Sequence, residues 1–400
     1  MRAVHRVLIT DGDERAALAV TRALGQHHVE VIVGSETDRS LAAASKYCTR
    51  SFTYPSPYTS ASSYVQCLLN TVRSERMEAV FPMSDIAMHV IGPQKAEFEK
   101  YTVVPIPDYK MFESLSDKYK LMRQAMALGI PVPETIFVPD GKVDGILDQI
   151  ASFPVVVKPG CSLVKHKDGW QKTSVQYAHN ADHLIDLYRR HRYLQGPSLI
   201  QRRVVGQGKG LFVLMQHGVP LGMFAHRRLR EKPPSGGVSV LRESIPLGKE
   251  LIDPALRLLQ QVHWHGVAMV EFKEEQTSQM PLLMEVNGRF WGSLQLAIDA
   301  GMDFPWLLLQ MAKGQRVSVP ENSYRCGVKS RWLLGDLDHL LMRTFKPPNI
   351  LNLAPGYPSR WMCLVDFVRS FGWTTSNEIE RSTDPRPAFK EWGRYLSDLI

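Results

Sequence analysis

Residues 266–292 read GVAMVEFKEEQTSQMPLLMEVNGRFWG. Two apolar runs, 267–272 and 281–286, flank a polar stretch of Lys, Glu, Gln, Thr and Ser, the pattern of two strands joined as a hairpin. Each run holds one carboxylate in apolar company: Glu271 in the first, Glu285 in the second. Side chains alternate along a strand, so Glu285, Asn287 and Arg289 share a face. If the strands pair, that face collects two carboxylates, an amide oxygen and a guanidinium. Neighbouring buried carboxylates repel unless a hard cation lies between them. Oxygen ligands that leave room for phosphate oxygens and water suit Mg²⁺. An arginine beside them suits a second anion, a phosphoryl or carboxylate group. The competing reading is a structural hairpin whose charges guard a sheet edge. One Glu alone fits that reading. Glu followed by Glu-x-Asn-x-Arg on paired strands points to a metal–phosphate site.

Upstream, residues 1–112 alternate strand and helix patterns. Strands are expected at 6–10, 29–33, 79–81 and 102–105, and helices at 14–24, 64–73 and from Ser84, which makes an open parallel α/β sheet. The first turn, TDGDER, lacks G-x-G-x-x-G, so a dinucleotide site is not expected there. Asp85, in the loop PMSD, reads as a helix cap, with a substrate contact as the alternative. Prolines at 105 and 107 mark a boundary.

In SLSDKYKLMRQAMALGIPVPET, Ser116 or Asp117 caps a helix that Gly129 ends. Lys118 sits in its first turn, the unfavourable end for a cation. FPVVVKP at 153–159 is a buried strand that ends in Lys158, and a buried ammonium needs a partner, which a phosphate provides. The segment 198–204 (SLIQRRV) runs from apolar to polar as a strand edge does. Residues 206–210 read as a turn before a hairpin at 211–228. The stretch 226–244, with His226, Arg227, Arg228, Arg230, Lys232 and Arg242 around Pro-Pro-Ser-Gly-Gly, reads as a basic loop suited to a carboxylate. His263 and His265 lack Cys or Glu neighbours at metal spacing and read as packing histidines. In the tail, 360–371 is an amphipathic helix whose Trp361 and Phe371, with Trp373, leave a partner or membrane-surface contact open. Residues 374–392 read as loosely ordered.

The 400 residues suit two or three domains. No run of 18 apolar residues is present, so no transmembrane segment is expected. The N-terminus reads as a first strand and not as a secretory signal. Five widely spaced cysteines without C-x-x-C argue against a zinc site and a disulfide framework, and a cytoplasmic location is the default. The 48 Lys and Arg against 40 Asp and Glu leave a net charge of +8. The basic residues are not in blocks and no nucleic-acid motif is visible, so no nucleic-acid partner is expected and a basic cleft for anionic small molecules is sufficient.

Glu271 with MEVNGR at 284–289 resembles the metal-binding end of the ATP-grasp superfamily. Biotin carboxylase, the large subunit of carbamoyl phosphate synthetase and many carboxylate–amine ligases carry the same arrangement. The stretch 290–314 is similar to bacterial members labelled carboxylate–amine ligase. The resemblance implies a Rossmann-like pre-ATP-grasp domain (1–112), a two-lobed ATP-grasp domain (113–320) and a small C-terminal extension (321–400), an α/β and α+β architecture. It implies ATP with Mg²⁺, or Mn²⁺, as cofactors. Glu271, Glu285 and Asn287 would hold the metal, Lys118 and Lys158 the nucleotide phosphates, and Gln201 with the Arg202 and Val204 backbone the adenine. Arg289 would stabilise an acyl phosphate. The implied activity is a cytoplasmic ligase that joins a small-molecule carboxylate to an amine, with ADP and phosphate as products. Alternatives are a bicarbonate-using enzyme and a catalytically silent nucleotide-binding protein. Two departures stand out. Gln201-Arg202-Arg203 lacks the glutamate that relatives often carry, so Arg203 is expected to stack on the base. The segment 160–173, where relatives carry a glycine-rich flap over the phosphates, has only two glycines.

Overall fold

A computed structural model of the chain describes residues 5–320, 323–354, 356–372 and 374–399. Trp373 of the expected aromatic surface lies outside them. The first segment is a parallel sheet flanked by helices. Its strands are β1 (Arg6–Ile9), β2 (Glu30–Ser35), β3 (Cys48–Thr53) and β4 (Ala79–Phe81), in the order β3-β2-β1-β4. Helices α1 (Arg15–Gln26), α2 (Ala61–Glu75), α3 (Asp85–Ile91) and the short α4 (Lys95–Phe98) connect or follow them. The runs VLI and VIV are apolar at every position because both faces of such a sheet are covered. The strand expected at 102–105 is only a single bridge between Ala79 and Val103. The edge strand β3, half exposed and polar, was not expected. Ser84, not Asp85, caps α3 by accepting from the Ala87 N–H.

Two helices then cross to the next body: α5 (Tyr109–Ser116) and α6 (Lys118–Ala127). Asp117 caps α6 by accepting from Tyr119 and Lys120 N–H at 2.8 and 3.2 Å. A smaller antiparallel sheet follows, with β5 (Thr135–Val138), β6 (Val155–Pro159), the hairpin β7 (Leu163–His166) and β8 (Gly169–Lys172), β9 (Gln176–Ala178), α7 (Ala181–Arg190) and β10 (Ser198–Arg202). The sheet order is β5-β10-β6-β9. Its own core, with Val155, Val157, Leu184, Leu187 and Ile200, lies between the sheet and α7. The glycine-poor 160–173 segment is this separate β7–β8 hairpin, docked by Trp170 N–H on the Tyr58 carbonyl (2.9 Å) and by its indole stacked on His89.

The large sheet is formed by β11 (Gly206–Gln216), β12 (Val219–Lys232), β13 (Val238–Ile245), β14 (Gly266–Glu275) and β15 (Pro281–Asn287), with β16 (Lys329–Arg331) and β17 (Thr375–Asn377). Its order is β15-β14-β11-β12-β13-β16-β17, antiparallel except for the last pair. Helix α8 (Lys249–Gln261) packs on it, followed by α9 (Leu294–Ala300), α10 (Phe304–Ala312), α11 (Leu333–Phe345), α12 (Arg360–Arg369) and α13 (Arg386–Leu399). The expected turn at 206–210 is strand, and the expected basic loop at 226–244 is mostly β12 and β13. Glycine serves as strand here because neighbours press close: an added Cβ at Gly206 would meet the Glu274 carbonyl at 1.8 Å. Residues 374–392 are ordered, contrary to expectation. β17 joins the sheet, and Arg22 of α1 donates to Asp384 Oδ2 and to the Glu378, Ile379 and Asp384 carbonyls at 2.8–3.0 Å. All five cysteines are free. No helix among the described residues is long and apolar enough to cross a membrane.

Candidate active site

The small sheet and the large sheet face each other across an open cleft of ≈ 550 Å³. Alternation decides what each strand presents to it. On β6, Val155 and Val157 enter the small core while Val156 and Lys158 line the cleft. On β14, Ala268, Val270 and Phe272 enter the main core, and Met269, Glu271 and Lys273 line the cleft. The register sets Glu271 directly opposite Glu285, and Met269 opposite Asn287. A bulge follows at Glu271/Phe272, a device that re-aims side chains beside functional sites.

The two carboxylates sit in different fields. Burial would raise Glu285, but Lys118, the Asn287 amide and Lys158 outweigh it and hold the acid at about 2. Lys118 Nζ lies 3.2 Å from Glu285 Oε2, and Asn287 Nδ2 donates to Oε1 at 3.0 Å. Burial lifts Glu271 to about 7; Arg228 opposes the rise, and the neighbouring Glu285 adds to it. Arg228 pairs with Glu271 and with Glu231. Lys118 also donates to Ser162 Oγ at 3.1 Å. Its ammonium is delivered by the α6 N-terminus. There the Lys118 N–H donates to the Gly160 carbonyl at 2.6 Å, and Gly160 itself has no room for a side chain beside the Pro197 carbonyl and Asp117.

Lys158 differs from its neighbours. Among the described residues its ammonium has no carboxylate partner and meets only the Met284 thioether, at 3.9 Å. Burial, with Lys118 adding to it, brings this amine down to about 8. Gln201 is 1% exposed, and its Nε2 donates to Thr135 Oγ1 at 2.9 Å while Oε1 has no partner. A buried orphan acceptor on the wall of a cleft suits a donor such as an exocyclic amine. The Arg202 N–H already donates to the Glu134 carbonyl at 2.9 Å, which removes it as a base donor. The Arg202 side chain pairs with Glu275 at 2.8 Å. Val204 lines the same cleft. Arg203 does not stand free to stack on a base: it donates to the Asn352 carbonyl and lies 5.6 Å over the Tyr177 ring.

Arg289 lines the cleft but is anchored elsewhere. Its Nε and Nη2 each donate to an Asp85 oxygen at 3.0 Å, and Nη1 to the Phe290 carbonyl at 2.9 Å. Burial opposes its charge, and Asp85 more than restores it. Asp85 is therefore neither a cap nor a free substrate contact. Sequence reasoning singled out Asp85 but missed its pairing with Arg289, and it missed Lys273 and Tyr177 on the cleft wall. The i, i+2 spacing of Glu271 and Lys273 was the signal available for Lys273. The cations of 226–244 are largely committed. Arg227 pairs with Glu243, Arg230 with Asp336, Lys232 with Asp338 and Arg242 with Glu378. His226 is buried and pushed well below the usual histidine range by burial and by Arg228 and Arg242. His265 packs on the His217 ring at 4.3 Å.

No group of three or more His, Cys, Asp or Glu side chains that could hold a metal occurs among the described residues. The candidate set is smaller: two opposed carboxylates and the Asn287 amide oxygen. That oxygen set fits a divalent ion which takes its remaining ligands from phosphate and water. The sequence-predicted residues Lys118, Lys158, Gln201, Arg202, Val204, Glu271, Glu285, Asn287 and Arg289 all line this one cleft.

A family model described as ATP-grasp in the biosynthetic pathway with Ter operon matches residues 222–332. No curated protein matches the sequence. Among solved structures, the chain is similar to the biotin carboxylase domain dimer of Hydrogenobacter thermophilus 2-oxoglutarate carboxylase, in complex with magnesium ADP, ADP and bicarbonate. The TM-score is 0.62 at 12% identity, over 82% of this chain and 74% of that one. It is similar to N5-carboxyaminoimidazole synthetase from Staphylococcus aureus (TM-score 0.60, 14% identity, 81% and 80% covered). It is also similar to an L-amino acid ligase from Bacillus licheniformis (TM-score 0.59, 14% identity, 78% and 75% covered). At such identities the likeness concerns the fold.

Proposed function

With the ATP-grasp fold as premise, we propose that this chain is an ATP- and Mg²⁺-dependent ligase that activates a carboxylate as an acyl phosphate and passes it to an amine. The carrying observation is the composition of one cleft. Two carboxylates oppose each other in register on β14 and β15 of the large sheet, and the facing small sheet contributes from β6 a lysine with no carboxylate partner among the described residues. Such a cleft suits a triphosphate and its metal.

Glu271, Glu285 and the Asn287 oxygen would hold Mg²⁺, which when bound offsets charge on the phosphoryl group in transfer. Lys118 and Lys158 neutralise the phosphates that remain on the nucleotide. The orphan Gln201 Oε1 accepts from the adenine amino group, a contact that needs neither the missing glutamate nor the Arg202 N–H. A substrate carboxylate oxygen attacks the γ-phosphorus and ADP leaves. The amine nitrogen then attacks the acyl carbon, phosphate departs, and the nitrogen loses a proton. Arg289 is held by Asp85 and the Phe290 carbonyl, and its remaining N–H groups stabilise the negative charge that builds on the acyl phosphate and its tetrahedral successor, by hydrogen bonds that break no existing pair. The division into 1–112, 113–320 and 321–400 belongs to this proposal, with α5 running across the first junction.

The test is release of ADP by the purified chain with Mg·ATP, which should require an acid and an amine together. Glu285→Ala should abolish that release with the fold retained, and normal turnover in the variant would overturn the assignment. A bicarbonate acceptor is the second reading, prompted by the bicarbonate in the Hydrogenobacter complex. ADP release driven by bicarbonate without added amine would favour it.

A further inference from the structure

The C-terminal extension presents an apolar stripe to solvent. Trp361, Leu364, Val368 and Phe371 follow one another at i, i+3, i+7 and i+10, a single face of α12 and the turn that ends it. They are 71, 38, 60 and 60% exposed. The opposite face of the helix holds it to the protein. Cys363 is buried there, and Ser370 Oγ accepts from Arg230 at 2.8 Å. Arg343, near the end of α11, donates to the Pro358 carbonyl at 3.0 and 3.3 Å. The end of α11 therefore abuts the start of α12, and Phe345, two residues after Arg343, is 77% exposed. Single exposed apolar side chains are ordinary. An amphipathic face carrying two aromatics, with a third exposed on the end of the adjoining helix, marks an interaction surface.

Charge selects the occupant. Arg360 and Arg369, both exposed, border the stripe on either side by helical rotation, and exposed Lys346 follows Phe345. The helix has one carboxylate, Asp366, and it lies on the inner side, on the wall of a cavity with His339 and Tyr357. A second copy of the same face would bring arginine against arginine with no acid to answer it. Tryptophan and phenylalanine flanked by arginine and lysine suit the headgroup level of a bilayer. No helix of the described residues spans one, so the contact is superficial. We propose that α12 and the end of α11 dock this chain on an anionic lipid surface. Trp361, Val368 and Phe371 sit among the acyl-chain ends nearest the headgroups, and Arg360, Arg369 and Lys346 meet the lipid phosphates.

The test is cosedimentation of the full chain with extruded vesicles, of phosphatidylcholine alone or mixed with phosphatidylglycerol, at low and high salt. Each basic side chain near an anionic surface contributes about fivefold. Partitioning onto phosphatidylglycerol vesicles should therefore exceed that onto neutral ones by on the order of tenfold to a hundredfold at low salt, and collapse at high salt. The double substitution Trp361→Glu with Val368→Glu should abolish it while the circular dichroism spectrum stays unchanged, since both side chains are exposed. Equal pelleting with neutral and anionic vesicles, or undiminished pelleting of the double variant, overturns the proposal. So does light scattering that shows a wild-type dimer which the double variant splits into monomers, because the face then joins two copies.

Discussion

Replacing Glu285 by Gln separates a metal ligand from a structural acid. The substitution keeps the shape and lets the side chain still accept from Asn287, but it removes the charge that Lys118 Nζ faces at 3.2 Å. Two effects follow, of opposite sign for nucleotide binding. Without Mg²⁺, the carboxylate repels a triphosphate. A unit charge pair at about 4 Å in an effective dielectric of about 20 is worth about 4 kcal/mol. Glu285 is 32% exposed, so solvent reduces that to about 1–2 kcal/mol. Metal-free ATP should therefore bind the variant about tenfold more tightly, at 1.4 kcal/mol per decade. With Mg²⁺, the same change deletes a ligand, and affinity for Mg·ATP should fall by at least as much. Calorimetric titration with ATP, with and without Mg²⁺, reads both arms and needs no knowledge of the acid or amine. The stimulation by Mg²⁺ should shrink by about a hundredfold from wild type to variant, the product of the two tenfold effects. If the Mg²⁺ dependence is identical in both proteins, and both are folded, Glu285 holds no metal and the reading of the cleft is wrong.

Lys158→Met should weaken ATP binding by about tenfold, since a charge-assisted phosphate contact contributes about 1.5–3 kcal/mol and this ammonium is partly solvated. In the wild type the protonated amine is the binding form, and its pKa is near 8. ATP affinity should therefore decline as pH rises through about 8, and the variant should lack that decline. Asp11 is raised to about 6, chiefly by burial, from the ordinary 3.8. The folded state thus holds its proton more tightly than the unfolded state, and this group's stabilising effect is present below about pH 4 and lost between about pH 4 and 6. About two units correspond to at most ~3 kcal/mol. Asp11 is partly exposed, so a loss of about 1–2 kcal/mol is expected, and Asp11→Asn should flatten it in denaturant melts compared across that range. Arg22→Met removes four hydrogen bonds and leaves the buried Asp384 without its counter-charge. It should cost about 3–5 kcal/mol and raise amide hydrogen exchange over residues 375–384 ahead of the rest of the chain.

The parts of the fold legible in the sequence are those governed by local periodicity. Val155–Lys158 and Glu285–Asn287 alternate buried and cleft-facing side chains every second residue, so the faces of β6 and of the end of β15 follow from the local pattern alone. Asp117 before Lys118, and Gly129 after the helix, act on groups within four residues. What could not be read depends on partners far away in the chain. The bulge after Glu271 decides its register, yet it leaves no residue signature. The glycines of 206–210 look like a turn until the Arg228 side chain and the Glu274 carbonyl are seen packed against them. The run 374–392 is mostly polar and carries prolines, and so reads as loose. It is ordered because Glu378 pairs with Arg15, and Asp384 with Arg22, across more than 350 residues.

The same long-range pairing separates site from scaffold. Read locally, Lys158, Arg228, Arg230, Lys232 and Arg242 are equal candidates for an anion, because each is a cation in or near a strand. A buried charge must be matched, and the structure matches Arg228 with Glu271 and Glu231, Arg230 with Asp336, Lys232 with Asp338 and Arg242 with Glu378. Those guanidiniums and that ammonium have spent their attraction inside the protein. Binding a substrate carboxylate to them would first require breaking a pair, at a cost of several kcal/mol for the buried ones. Lys158 has spent nothing comparable: a thioether at 3.9 Å does not compensate an ammonium, and its lowered pKa records the deficit. A phosphate arriving there gains an ion pair without breaking one. The chemistry of the cleft therefore rests on Lys158, a cation with no carboxylate partner among the described residues, and the paired basic residues around it set the shape of the wall.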